Sequence, residues 1–272
     1  MAGTVKGGQH RAEQHRTSIL GVEAFSLASD RSFPRHAHDS FGIGVLHVGT
    51  HRSWSGIGAV EAVAGDIITV NPGEMHDGTP VHGAVRSWRM LYLEPGILAR
   101  ALPEDLRGEA EIARPVLRDS LLVGRFGQTF ANLVDPVPDT LAVEEAVLRL
   151  LALLLARHGS QPLTVTGPSP PVDLALRHLS AAPERPVTLG ELSALCGVSR
   201  FQLLRGFKRA VGVTPHAYLL QQRVRLARRL LAAGQCPAET AAAAGFADQS
   251  HLTRAFRRQF GVTPARYRAA VA

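Results

Sequence analysis

Gly245-Phe246-Ala247-Asp248-Gln249-Ser250-His251-Leu252-Thr253-Arg254-Ala255-Phe256-Arg257-Arg258-Gln259-Phe260-Gly261-Val262-Thr263-Pro264-Ala265-Arg266-Tyr267-Arg268 decides the fold of this 272-residue chain. An earlier copy is in register: Leu203, Arg205, Phe207, Gly212 and Tyr218 each lie 49 residues before Leu252, Arg254, Phe256, Gly261 and Tyr267. Each copy has the pattern of two short helices around a turn. The first helix ends at Gly197 or Gly245, where the chain needs a left-handed residue. Ser199 and Asp248 then supply the side-chain acceptor that starts the second helix. Along that helix Leu203/Phe207 and Leu252/Phe256 fall at i, i+4 and face the core. The spacing leaves Phe201, Gln202, Leu204 and Arg205 outside in the first copy, and Gln249, Ser250, His251, Thr253 and Arg254 in the second. Between the copies Pro215 to Ala233 reads as one helix that stops at Gly234, about 28 Å long.

Charge divides the chain as sharply as the repeat does. Val172–Ala272 holds 15 Lys/Arg against 5 Asp/Glu, whereas Met1–Pro171 holds 15 against 18. The whole basic excess behind the net +7 therefore sits in the repeated segment. Such asymmetry is the footprint of a phosphate-backbone binder joined to something else. Ser199, Arg200, Lys208, Arg209, Arg257 and Arg258 are the candidates for phosphate contact, the last four at matching places in the two copies. Outward Gln and Arg at a helix start suit base edges in a major groove. No amphipathic basic stripe points instead to an anionic membrane.

These residues resemble the signature of the AraC/XylS family of bacterial transcription regulators, over about a hundred C-terminal positions. The resemblance implies two helix-turn-helix subdomains joined by a long helix, each reading bases of double-stranded DNA with its second helix. It carries base reading onto Phe201, Leu204, Arg205, Gln249, Ser250, His251, Thr253 and Arg254. Leu204 departs from the polar residue often found there and leaves an apolar contact to a thymine methyl. An activator of this kind also touches RNA polymerase.

From Ile19 to Leu93 the pattern turns strand-like. Runs such as Phe41–Val48, Ala59–Val63 and Asp66–Val70 are punctuated by Gly, Pro, Asn and Asp, which predicts an antiparallel barrel or jelly roll. Pro34-Arg35-His36-Ala37-His38-Asp39 and the segment from Gly65 to His76 resemble the two cupin motifs and the sensor domain of AraC-type regulators. His36 and His38, two apart on a strand, point to one face, and His76 joins them across the barrel. Three imidazoles so placed suit Zn²⁺ or another divalent metal, or a metal-free pocket in which they orient a ligand. Cupin enzymes add a Glu shortly after the His pair; Phe41, Gly42 and Ile43 stand there, which argues against catalysis. Phe41, Trp88, Met90 and Tyr92 are the expected apolar wall, with Arg35 or Arg89 meeting an anionic group.

Beyond Pro95 the expectation is helical: weak pieces over 97–106 and 114–133, then a strong helix from Thr140 to His158. In the resembling family that last helix belongs to the dimer contact; packing on its own barrel is the alternative. Gly159–Pro171 reads as a linker. The fold expected is thus α+β and multidomain: a loose leader over 1–17, a cupin-like sensor over 18–160, a linker over 161–171 and an all-α DNA-binding domain over 172–272. Cys196 and Cys236 lie far apart, outside any CxxC pair, as buried free thiols. Neither an apolar run of membrane-spanning length nor a secretory signal is present, so a cytoplasmic regulator, not an enzyme, controlled by a small molecule or metal is the expectation. A metal-dependent cupin enzyme with a DNA-binding tail and a sequence-blind architectural binder are the rivals.

Overall fold

Strands dominate up to Leu93 and helices from Ser120 in the computed structural model, which describes residues 9–55, 57–101, 111–160, 172–260 and 262–271. Two compact units emerge: Met1–Asp135 with Ala146–Val165, and Pro136–Glu145 with Thr166–Ala272.

The first unit is a β-barrel of two sheets whose strands pair antiparallel throughout. One sheet runs β1 (His10–His15), β2 (Val22–Ser29), β9 (Arg86–Leu93), β4 (Phe41–Val48), β7 (Ile67–Val70) and β10 (Val116–Leu117). The other runs β3 (Phe33–His36), β8 (His76–Pro80), β5 (Thr50–Ser55) and β6 (Gly58–Val63). Leu46, Ala62, Trp88 and Met90 form the buried core between them. Gly42 and Gly44 make room for it. A Cβ at Gly42 would lie 3.2 Å from Met90 Cε, and one at Gly44 would strike Met90 Sδ. The period-2 pleat then turns Phe41, Ile43 and Val45 to the opposite face of β4. There Phe41 and Ile43 meet Leu98, Leu151 and Leu154.

Two expectations need correction here, and a third is met only over its described part. The leader is not wholly loose, because His10–His15 is paired residue by residue with β2. The segment 114–133 is not one helix: Val116–Leu117 joins β7, and α2 (Ser120–Leu133) begins only after Asp119 caps it. The helix expected over 97–106 is α1 (Pro95–Ala101); positions 102–106 lie outside the described residues, as does the linker 161–171. In contrast, α3 spans Thr140–His158 as its apolar pattern predicts. Leu141, Val147, Leu148, Leu151, Leu154 and Leu155 are all buried within the single chain. This favours packing within the chain over a free apolar face for a dimer.

The second unit contains α4 (Val172–Ala181), α5 (Leu189–Cys196), α6 (Arg200–Val211), α7 (Pro215–Ala232), α8 (Pro237–Ala243), α9 (Gln249–Phe260) and α10 (Pro264–Val271). Glycine ends both first helices of the repeat by one device. Gly197 and Gly245 have φ of 65° and 78°, and the next amide, Val198 or Phe246, donates back to Ser193 O or Ala241 O. Three residues separate Gly245 from α9, but only two separate Gly197 from α6. The second turn is therefore one residue longer, with Ala247 as the addition. Leu203, Phe207, Leu252 and Phe256 are fully buried, as the i, i+4 spacing requires. Burying each contributes about 1.5–3 kcal/mol. Phe256 closes the second hairpin against Leu231, Phe246 and Tyr267. Cys196 is buried; Cys236 is half-buried at the N-cap of α8, not inside a helix, and both thiols are free. Among the described residues no helix is long and apolar enough to cross a membrane.

Candidate DNA-reading face and effector cavity

On α9 the sequence-derived face is open. Asp248 Oδ1 accepts the His251 amide at 2.6 Å and so fixes where the helix starts. Gln249, Ser250 and Arg254 are exposed, as are Arg257 and Arg258 in the last turns. His251 and Thr253 are half-buried. The His251 ring stands edge-on to Phe246 at 5.2 Å, and Thr253 Oγ1 donates to Gln249 O. Burial, chiefly, holds the His251 imidazole below its ordinary value. A neutral ring at the rim of this face offers both a donor and an acceptor.

The matching face of α6 is more engaged. Arg205, Lys208 and Arg209 are exposed and Phe201 is half-buried. Leu204 is only 8% exposed, so its assignment to the outer face is corrected. It lies one residue beyond Leu203, and the apolar face of α6 is wide enough to take both. Gln202 Oε1 accepts the Ser199 amide at 3.0 Å while Ser199 Oγ accepts the Gln202 amide at 3.1 Å, so both side-chain oxygens serve the helix cap. Arg200 lies 3.8 Å from Glu144.

In the barrel a cavity of about 120 Å³ opens between the sheets. Leu27, Phe33, Ile68, Val70, Trp88 and Met90 give it apolar walls, and His36, His51, His76 and Tyr92 add polar groups. Trp88 and Met90 are therefore where the sequence pattern puts them. His36 and His76 face each other in register across β3 and β8, with ring centroids 4.4 Å apart. His38 lies beyond the end of β3, not on it, yet its ring is 5.0 Å from that of His76 and 6.2 Å from that of His36. Each Nδ1–H donates to a nearby carbonyl: His36 to Pro34 at 2.8 Å, His38 to Ser40 at 2.9 Å, His76 to Glu74 at 3.0 Å. That fixes the tautomer and leaves every Nε2 as a lone-pair acceptor. His38 Nε2 is buried without a partner. Burial lowers the His76 imidazole, and the neighbouring His36 and His38 push the same way. Among the described residues, however, no trio of His, Cys, Asp or Glu is disposed to hold a metal ion as it stands.

Three pocket assignments are overturned. Phe41 packs on the far face of β4, for the pleat reason given above. Arg35 is exposed on the outer surface, its guanidinium 4.0 Å over the Trp54 ring and 3.5 Å from Asp77. Arg89 likewise lies over Phe130 at 5.0 Å. The cation that sequence reasoning missed is Arg86, whose exposure is 0%. Its Nε donates to His51 Nδ1 at 2.9 Å, and its other nitrogens to the carbonyls of Ser29, Arg31 and Gly78. The signal was present. Arg86 shares the strand parity of Trp88 and Met90, whereas Arg89 has the opposite one. Burial and the Arg86 charge lower the His51 imidazole to about 4, so His51 is neutral and carries its proton on Nε2.

Residues 21–153 match the model of the AraC-like ligand binding domain, and residues 192–270 that of a helix-turn-helix domain. The uncharacterized HTH-type transcriptional regulator YbfI of Bacillus subtilis is 31% identical over 86% of this chain and 86% of its own. A putative AraC-like transcription regulator of Streptomyces antibioticus is 35% identical over 49% of this chain and 46% of that protein. Among solved structures, the DNA-binding domain of AdpA in complex with a target DNA is 33% identical over 38% of this chain and 93% of that one, with a TM-score of 0.36. Carrying an AraC-like ligand-binding domain ahead of its helix-turn-helix pair, the chain belongs to the AraC family of DNA-binding transcriptional regulators.

Proposed function

We propose that a small molecule bound in the barrel cavity sets the affinity of this regulator for its DNA site. The observation that carries this reading is the cavity itself. It is a half-open, largely apolar space lined by His36 and His76, each of which has committed Nδ1 to the backbone, so that Nε2 is left for a guest. The guest is small and largely apolar, with hydrogen-bond donors that meet His36 and His76. On the DNA side Gln249, Ser250 and Arg254 read base edges, flanked by His251 and Thr253. Arg205 and Phe201 do so from the first hairpin, while Lys208, Arg209, Arg257 and Arg258 meet phosphates.

Linkage supplies the test. An effector that changes DNA affinity by some factor must have its own affinity changed by DNA by that same factor. Genomic fragments selected by the protein supply the duplex, and candidate effectors are titrated with and without it. Equal affinity in both titrations refutes effector control. A divalent metal at His36, His38 and His76 is the second reading, favoured by the partnerless Nε2 of His38. Calorimetric titration with Zn²⁺ separates the two, because a metal guest is lost in His38→Ala whereas an organic guest survives that change.

A further inference from the structure

Pro136–Glu145 groups by its contacts with the helix-turn-helix unit, and three of its carboxylates are set against that unit's helices. Asp139 Oδ2 accepts from Nη1 of the buried Arg223 at 2.9 Å, which anchors the segment on α7. Glu145 Oε1 accepts the His216 amide at 2.6 Å in the first turn of α7. Glu144 is placed differently. One of its oxygens accepts the amide of Leu189, the first residue of α5, and the other faces the Arg200 guanidinium at 3.8 Å. The rest of that corner is built to hold a positive charge. The Thr188 and Glu191 capping box already satisfies its own two amides. Gly190 leaves room for the Arg200 guanidinium, because a Cβ there would lie 2.5 Å from Nη2.

An α5 N-terminus and an arginine at the start of α6 make a seat for one anionic oxygen cluster, such as duplex DNA offers with its phosphates. We propose that Glu144 is an internal stand-in for a DNA phosphate, an autoinhibitory contact that must open before the α5–α6 hairpin engages the backbone. This rests on the reading that the hairpin meets DNA. It accounts for an asymmetry between the repeats. In the first, Arg200 at the start of α6 is engaged by Glu144; in the second, its counterpart Gln249 at the start of α9 is exposed. The regulator as folded offers the second hairpin first, and the first hairpin only after Glu144 gives way.

A random-sequence duplex is the suitable probe, since a phosphate seat is blind to sequence. The full-length chain and Glu144→Gln are compared by fluorescence anisotropy, with Glu61→Gln as a control for the loss of one negative charge on the barrel surface. If the open form is about one tenth of the population, Glu144→Gln tightens binding roughly tenfold, well beyond the control. Arg200→Ala should then cost more in the Glu144→Gln background than in the native chain, and lower the salt slope there by about one. Should Glu144→Gln unfold, Glu144→Asp, which withdraws the charge by one methylene, makes the same comparison. Equal gains in Glu144→Gln and the control, or an additive cycle with Arg200→Ala, overturn the proposal while leaving DNA binding intact. A native chain with no salt-dependent binding to any duplex overturns the underlying reading as well.

Discussion

The two glycines that turn the helical hairpins have almost the same backbone and very different surroundings. Gly197→Ala places a Cβ at φ 65° with nothing within 4 Å, so only the left-handed strain counts, about 1–2 kcal/mol. Gly245→Ala incurs the same strain at φ 78°, and its Cβ also lands 2.5 Å from Glu184 O, 2.8 Å from its Cα and 2.9 Å from its carbonyl carbon. Those are backbone atoms that no rotamer change can withdraw. Overpacking of this kind costs about 1–3 kcal/mol, which brings Gly245→Ala to roughly 2–5 kcal/mol. For a unit of this size each kcal/mol moves the midpoint by about 4–8 °C. Differential scanning calorimetry of the two variants should therefore show a shift of about 4–16 °C for Gly197→Ala. For Gly245→Ala the loss should be about twice as large or more, at least ~8 °C, and confined to one transition. Equal shifts would mean that the close approach of Glu184 to the second turn is wrong.

Other consequences concern the barrel. His51 titrates near 4 when folded, below the 6.5 of a free imidazole, so its contribution is intact above pH 6.5 and lost as pH falls toward 4. Barrel stability should decline over that window by about 1.4 kcal/mol per unit, and His51→Asn, which keeps an acceptor for Arg86 but cannot charge, should flatten the profile in urea titrations. A profile as steep in the variant as in the native chain would contradict this. Asp119 caps α2 through Leu121 and Leu122 at 3.1 and 3.2 Å and binds His158 at 2.9 Å and Arg157 at 2.6 Å. Asp119→Ala should cost about 2–3 kcal/mol, mostly from the cap and His158, since Arg157 is half exposed and screened. Asp119→Asn should recover the cap share in the same urea measurement; no recovery would show that the cap contributes little.

Where one periodic pattern determined burial, the sequence could be read directly. Leu203, Phe207, Leu252 and Phe256 follow the helical spacing into the core, and α3 begins and ends where its apolar run does. Legibility failed where a residue's neighbours come from distant strands. Arg86 is surrounded by His51, Ser29, Arg31 and Gly78, none nearby in sequence, so only strand parity hinted that it points inward. Phe41 was misplaced because a glycine-rich strand, Phe41 to Val48, hides its parity: both faces look apolar until Met90 is seen filling the space over Gly42 and Gly44. The engagement of α6 was invisible for another reason. Glu144 reaches Leu189 of α5 across 45 positions and faces Arg200 at the start of α6, and a pair of glutamates on an otherwise apolar helix carries no signal of such distant partners.

The central claim is a duplicated reader in which the start of α9 discriminates bases while the basic residues of its last turns hold the backbone. Arg254→Ala and Arg258→Ala, measured on a duplex selected by the native protein and on random duplex across a salt series, test it most directly. Arg254→Ala should lose about 1–3 kcal/mol on the selected site with little change on random DNA. Arg258→Ala should weaken both and lower the salt slope by about one. If the two variants lose affinity alike on both duplexes, α9 does not divide reading from holding, and the account of this face is wrong.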